Sequence, residues 1–225
     1  MVVPTRLYAI LDAGCFADAN VLLAAAEELV AGGCTLLQYR NKSGNACVML
    51  EQARELRRRF LSQSQDPHDS QKRRDMGHPR TDHFVRLIMN DRADLCLAAE
   101  FDGVHVGQED LSPEAVRKII GPDRWLGVST HNPGQIREAD QTSADYLAIG
   151  PIFPTSSEER PDPVVGLEGV RRARELTRKP LVAIGGITRA NAASVIEAGA
   201  DAVAVISDLL REPRKSAEEF LRILR

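Results

Sequence analysis

Eight short apolar runs spaced along the whole chain limit its fold more than any other feature: LYAIL, TLLQY, VRLIMN, GVHVG, WLGVS, YLAIG, PLVAIG and DAVAVIS. They are apolar at nearly every position rather than at every second one. A strand of that kind is covered on both faces, as in a parallel sheet whose crossovers lay helices over it. Most gaps between the runs have helical period. Asp18 caps a helix with inner face Val21, Leu22, Ala25 and Leu29. In LSPEAVRKIIG, Ser112 is the cap, Pro113 takes the first turn and Gly121 stops the helix. Thr188 stands as the cap of RANAASVIEAG, and Ser216 with Glu219 makes a capping-box spacing ahead of FLRIL. Eight such units in series predict an α/β fold, a single (β/α)8 TIM barrel over residues 1–225. A doubly wound sheet is the competitor, but the first turn, ILDAGCFAD, carries no G-x-G-x-x-G.

One segment breaks the rhythm. Residues 62–83 are polar, mixed in charge and nearly free of large apolar side chains, which predicts a loop insertion before the third strand, on the face away from a barrel's usual active site. Its histidines, His68, His78 and His83, lack metal-ligand spacing. With 43% hydrophobic residues the 225-residue chain can bury a large core. A net charge of −3 argues against a nucleic-acid or membrane-surface partner, and no apolar run approaches the roughly 20 residues of a membrane span. The N-terminus lacks a signal-peptide pattern, and Cys15, Cys34, Cys47 and Cys96 are scattered without a C-x-x-C pair. Both features point to a cytoplasmic protein with reduced, mainly buried thiols.

In a barrel, chemistry sits where the strands end. After the second run, Gln38, Arg40 and Lys42 alternate and point the same way if the strand continues, which suits an anion such as phosphate; a solvated strand end is the plainer reading. The third run ends in Asn90 and Asp91, and the fourth in Gln108, Glu109 and Asp110. Adjacent strands would bring Asp91 and Asp110 together, and a hard divalent cation, Mg²⁺, would relieve their repulsion; separate helix capping is the alternative. Ser129, Thr130 and His131 follow the fifth run, to bind a ligand or merely to precede a cap at Asn132. Gly185, Gly186, Ile206 and Ser207 follow the last two runs, a frequent phosphate position of this fold, although paired glycines also make plain turns. Two anion sites on one rim suit the joining of two phosphorylated small molecules.

The segments LQYRNK, MNDRADLCLAAEFDGVHVGQED, LGVSTH, DYLAIGPIFPT, VAIGGI and AGADAVAVIS resemble, in order and spacing, those of the thiamine-phosphate synthase family. The resemblance covers nearly the whole chain outside residues 62–83. It implies a Mg²⁺-dependent transferase that couples 4-amino-5-hydroxymethyl-2-methylpyrimidine diphosphate to a thiazole phosphate. By motif, Gln38, Arg40, Lys42 and Asn90 would hold the pyrimidine diphosphate, and Asp91 and Asp110 the Mg²⁺. Ser129, Thr155 and Ser157 would contact phosphate groups, and Gly186, Ile206 and Ser207 would cradle the thiazole phosphate. Arg40, Lys42 and Ser129 would serve the reaction itself. The loop PTSSEERPD departs from the family's Thr-x-Thr-Lys: Glu158 stands at the lysine position, and Arg160 is the cation available to replace it. Two alternatives stand beside this reading, the first from the same superfamily. One is a thiazole tautomerase with His131 as acid–base; the other is a sensor that binds the precursors without turnover.

Overall fold

The computed structural model describes residues 5–61, 85–155 and 162–225. Each of the eight apolar runs forms a strand: β1 (Leu7–Asp12), β2 (Leu36–Arg40), β3 (Arg86–Asn90), β4 (Gly103–Val106), β5 (Trp125–Thr130), β6 (Tyr146–Ile149), β7 (Leu181–Ile184) and β8 (Ala202–Val205). They pair in parallel in chain order, and β8 returns to β1 through Leu7 opposite Val203, so the sheet closes into a barrel. The described helices, numbered in chain order, are α1 (Ala19–Ala31), α2 (Ala46–Leu61), α3 (Ala93–Ala98), α4 (Pro113–Ile120), α5 (Pro133–Asp140), α6 (Gly166–Leu176), α7 (Ala192–Glu197) and α8 (Pro213–Ile223). The outward strand residues and the helices' inner faces form one continuous apolar layer, from Leu7 and Leu22 round to Phe220 and Leu224. The predicted loop insertion lies outside the described residues.

Three caps form as read: Asp18 accepts from Asn20 N and Val21 N, Ser112 accepts from Ala115 N, and Gly121 ends α4 at φ 78°. Other expectations need correction. Val21 is exposed, because α1 starts at Ala19 and position 21 falls on the outer side of its first turn; Leu22, Leu23, Ala25, Ala26, Leu29 and Val30 face inward. Thr188 does not cap α7 with its hydroxyl. Its backbone N–H donates to Asn191 Oδ1 and its carbonyl accepts from Asn191 N and Ala192 N, which makes a turn ahead of the helix. Ser216 is no cap either. Pro213 starts α8 three residues earlier, so Ser216 lies within the helix, fully buried, with an Oγ that has no hydrogen-bond partner. All four thiols are free as expected, but only Cys34 and Cys96 are buried; Cys15 lies in the turn after β1 and Cys47 on the outer side of α2.

The end of the barrel opposite the rim repeats one device three times. Asp102, Asp145 and Asp201 each stand one residue before an even-numbered strand. Each carboxylate accepts from a backbone N–H of the preceding strand: Leu87 N at 2.8 Å, Leu126 N at 2.8 Å and Leu181 N at 2.7 Å. Each also takes an arginine from the helix that leads into that preceding strand, Arg57 at 3.1 Å, Arg117 at 2.6 Å and Arg174 at 2.8 Å. The charge thus ties strand to strand and strand to helix, and holds the sheet's lower edge while the upper edge carries loops.

Candidate active site

Side chains alternate along each strand, so one parity fills the barrel interior. Low in the barrel stand Leu36, Arg86 and Trp125, with the Arg86 guanidinium 4.5 Å from the indole centre. Above them a set of polar side chains is threaded through the core. Gln38 Nε2 donates to Tyr8 Oη (2.8 Å), Tyr8 and Tyr146 share a hydrogen bond (3.0 Å), Tyr146 Oη meets His105 Nδ1 (3.0 Å), and His105 Nε2 meets Ser129 Oγ (2.8 Å). Room for the crossing comes from Gly127, where a Cβ would lie 2.1 Å from Tyr146 Cζ and 2.4 Å from His105 Nδ1. Burial raises both phenols above their ordinary range and lowers His105 to about 4, so these groups stay neutral.

Over this floor opens a cavity of about 310 Å³. Gln38, Arg40, Asn90, Ser129, Thr155, Gly186, Ile206 and Ser207, all expected site residues, line it, and Ile10, Ala148, Ile184 and Ala204 give it an apolar side. Arg40 is paired with Asp12 at the end of β1, and Asp12 also accepts from Gly14 N at 3.0 Å. On the far side, Gly185 and Gly186 have φ of 95° and 64°, conformations that side chains resist. A Cβ on Gly186 would also stand 2.6 Å from the Pro154 carbonyl oxygen, so the pair serves the turn as well as the cavity wall.

Lys42, Asp91 and Asp110 stand outside the cavity wall. β2 ends at Arg40, so the alternation that would aim Lys42 beside it stops; Lys42 Nζ instead reaches Asp91 Oδ2 at 2.6 Å. Asp91 is held at φ 59°, in the left-handed region. Desolvation, followed by the nearby Asp91 carboxylate, raises the Asp110 carboxyl above its ordinary range, against the opposing hydrogen bond from Gly107 N at 2.7 Å. Neither acid caps a helix: Ser112 caps α4, and α3 begins after Arg92 with no side-chain cap. Gln108 Nε2 donates to the Ser129 carbonyl at 2.6 Å, tying the β4 and β5 rims. Asn132 does cap α5, through Gln135 N. His131 lines the cavity and donates from Nδ1 to the Gly150 carbonyl (2.8 Å), with Asp162 Oδ2 3.4 Å away. Ser157, Glu158 and Arg160 lie outside the described residues.

The sequence reading passed over Asp12, Tyr8, His105 and Tyr146. Asp12 was findable, because β1 has a C-terminal end like any other strand. His105 carried a signal too, a lone polar residue at the inward parity of an otherwise apolar GVHVG.

The closed barrel and a rim cavity built from strand ends define the class, a (β/α)8-barrel enzyme. The family model for thiamine monophosphate synthase matches residues 74–209. The chain is 55% identical over 222 residues to a thiamine-phosphate synthase of Koribacter versatilis, with 97% of this chain and 95% of the relative covered. It is 41% identical over 206 residues to one of Chloroflexus aurantiacus, covering 92% and 85%. Among solved structures, a thiamine phosphate pyrophosphorylase of Pyrococcus furiosus superimposes with a TM-score of 0.76 at 31% identity, over 97% of this chain and 95% of that one. The chain belongs to the thiamine-phosphate synthase family, whose members are transferases. Among the described residues no helix is long and apolar enough to cross a membrane.

Proposed function

We propose that the chain joins 4-amino-5-hydroxymethyl-2-methylpyrimidine diphosphate to thiazole phosphate, giving thiamine phosphate and diphosphate. The observation that carries this reading is one cavity bounded on one side by Arg40 and Asn90 and on the other by Gly186, Ile206 and Ser207. Two anionic groups enter opposite sides of it, and the rings between them rest on Ile10, Ile184 and Ala204.

The residues present fit a Mg²⁺ ion. Among the described residues no group of three or more histidines, cysteines or acids is placed to hold a metal; Asp91 and Asp110, whose carboxylates act on each other, are the candidate pair. That suits an ion which takes one or two carboxylates and completes its shell with water and phosphate oxygens. Asp91 lies close enough to Asp110 for the two carboxylates to act on each other, and a cation between them would relieve their repulsion. When bound there, Mg²⁺ would neutralise charge on the diphosphate.

The chain's own part is positioning and electrostatics. Arg40, aimed by Asp12, and Lys42 hold the diphosphate, with Gln38 and Asn90 supplying neutral donors and Ser129 and Thr155 contacting phosphate groups. Ser157 belongs to the same set by motif, and Arg160 is the cation available in place of the motif's lysine. The C–O bond to diphosphate breaks first, the electron pair leaves with the phosphate oxygen, and the electron-rich pyrimidine supports the methylene cation. The thiazole nitrogen, fixed through its phosphate at Gly186, Ile206 and Ser207, then supplies the pair for the new C–N bond. No proton must be removed, so no strong base is required.

The test is thiamine phosphate formation from the two substrates, with Mg²⁺ and then with EDTA, in wild type, Asp110→Ala and Arg160→Ala. Turnover lost in EDTA and reduced about 10²–10³-fold in Asp110→Ala is expected. A deficit in Arg160→Ala would show this residue standing in for the lysine. Well-folded wild type without product would refute the reading and direct attention to isomerisation at His131.

A further inference from the structure

We infer that Tyr8, Tyr146 and His105 form a one-way chain of hydrogen bonds that commits the Ser129 hydroxyl to donate into the cavity, which makes Tyr146 and His105 positioning residues for an anion. The inference rests on the reading of Ser129 as a phosphate contact.

The direction follows from counting protons. Each phenol owns one. Gln38 Nε2 donates to Tyr8 Oη at 2.8 Å, so the Tyr8 proton is free to go to its other partner, Tyr146 Oη at 3.0 Å. Tyr146, having accepted there, donates to His105 Nδ1 at 3.0 Å. A neutral imidazole with a bare Nδ1 carries its proton on Nε2, which faces Ser129 Oγ at 2.8 Å. Ser129 Oγ accepts that proton, and its own O–H is left for the cavity that it lines. Bonds aligned head to tail polarise one another, so the terminal donor is stronger than an isolated serine.

Turning the Gln38 amide over would reverse every link. His105 would then be protonated on Nδ1, Ser129 would donate to Nε2, and only lone pairs would face the cavity, which an anion would repel. Packing alone does not call for the hydroxyls: Phe at positions 8 and 146 would fill the barrel without the cost of burying polar groups. Gly127 leaves room for this crossing, since a Cβ there would overlap both Tyr146 and His105.

The first measurement is the tautomer of His105 in metal-free, substrate-free wild type, by long-range ¹H–¹⁵N correlation on histidine-labelled protein. Five histidines contribute, and the His105→Gln spectrum assigns the signal by subtraction. The expected result is Nε2–H in wild type and a mixture of tautomers in Tyr146→Phe. The second is calorimetric titration with inorganic diphosphate and Mg²⁺. Ser129→Ala and Tyr146→Phe should each bind about tenfold more weakly, and the double variant no more weakly than Ser129→Ala alone. His105 found as Nδ1–H overturns the inference, and so do losses that simply multiply in the double variant, since those would mark Tyr146 as mere packing. The two readings fail separately. An inactive wild type with an Nε2–H His105 removes the synthase reading alone, and an active enzyme with an Nδ1–H His105 removes this one alone.

Discussion

The threefold clamp beneath the barrel supplies a stability experiment with internal controls. Asp102, Asp145 and Asp201 make the same two contacts, a buried leucine N–H and a helix arginine, but differ in how far water reaches them. Their side chains are 11%, 27% and 48% exposed. Replacing Asp102 with Ala leaves Leu87 N–H without its acceptor inside the sheet and leaves the Arg57 guanidinium, 17% exposed, without its counter-charge. A stranded buried donor costs about 1–3 kcal/mol and a lost charged hydrogen bond about as much, so roughly 3 kcal/mol is expected after partial relaxation. At position 201 the half-exposed carboxylate leaves a space that water can enter to serve both stranded groups, and roughly 1 kcal/mol is expected. For a chain of this size each kcal/mol moves Tm by about 2–4 °C, so Asp102→Ala should fall by about 9 °C, Asp201→Ala by about 3 °C, and Asp145→Ala between them. The assay is scanning calorimetry on the three variants beside their Asn counterparts, which retain an acceptor for the N–H and lose only the charge. Equal losses at the three positions, or the reverse order, would refute the claim that water access sets the value of these charges.

Four further outcomes follow from single sites. Gly127→Ala should lower Tm by about 6–12 °C, from about 3 kcal/mol of overpacking, because a Cβ would overlap the buried Tyr146 and His105; thermal melts check it. Ser216→Ala should raise Tm by about 2–4 °C, since it removes a buried hydroxyl with no partner and places a better helix former in α8; a melt no higher than wild type would contradict this. Asp12→Ala should cut kcat/KM about tenfold or more by releasing Arg40, while Asp12→Asn, which can still accept from the guanidinium, loses less; steady-state kinetics separate the two. Asp110→Asn should stabilise the metal-free protein near neutral pH. The wild-type carboxyl has a raised value in the folded state, so its contribution is greatest below the ordinary carboxylate range and is lost as pH rises through the folded value. The advantage of Asn should therefore vanish in acid, which Tm against pH in EDTA would report.

The barrel was legible because its cause is a bulk pattern. Eight runs covered on both faces leave few alternatives to a closed parallel sheet, and each run became a strand within a residue or two. Helix starts were read less well, and for local reasons. At α8 the strongest signal was Pro213, which set the first turn and carried the supposed cap Ser216 into the core. At α7 the backbone of Thr188, rather than its hydroxyl, closed the turn, a choice that residue type does not encode.

The site divides along the same line. Residues at strand ends could be named because the fold dictates where strand ends converge, and eight of the expected positions share one cavity. Lys42 escaped that logic because the alternation it relied on stops where β2 stops, two residues short of it. The interior chain escaped it for a deeper reason. Tyr8 and Tyr146 read as ordinary apolar strand residues, and His105 as one polar interruption; their meaning lies in Gly127, the missing side chain that lets the polar groups of β4 and β6 meet. A glycine in a buried strand weakens it unless something else needs the space. Here the space is filled by a phenol and an imidazole that end at the hydroxyl of Ser129. The interior of this barrel is therefore both packing and a support for its rim.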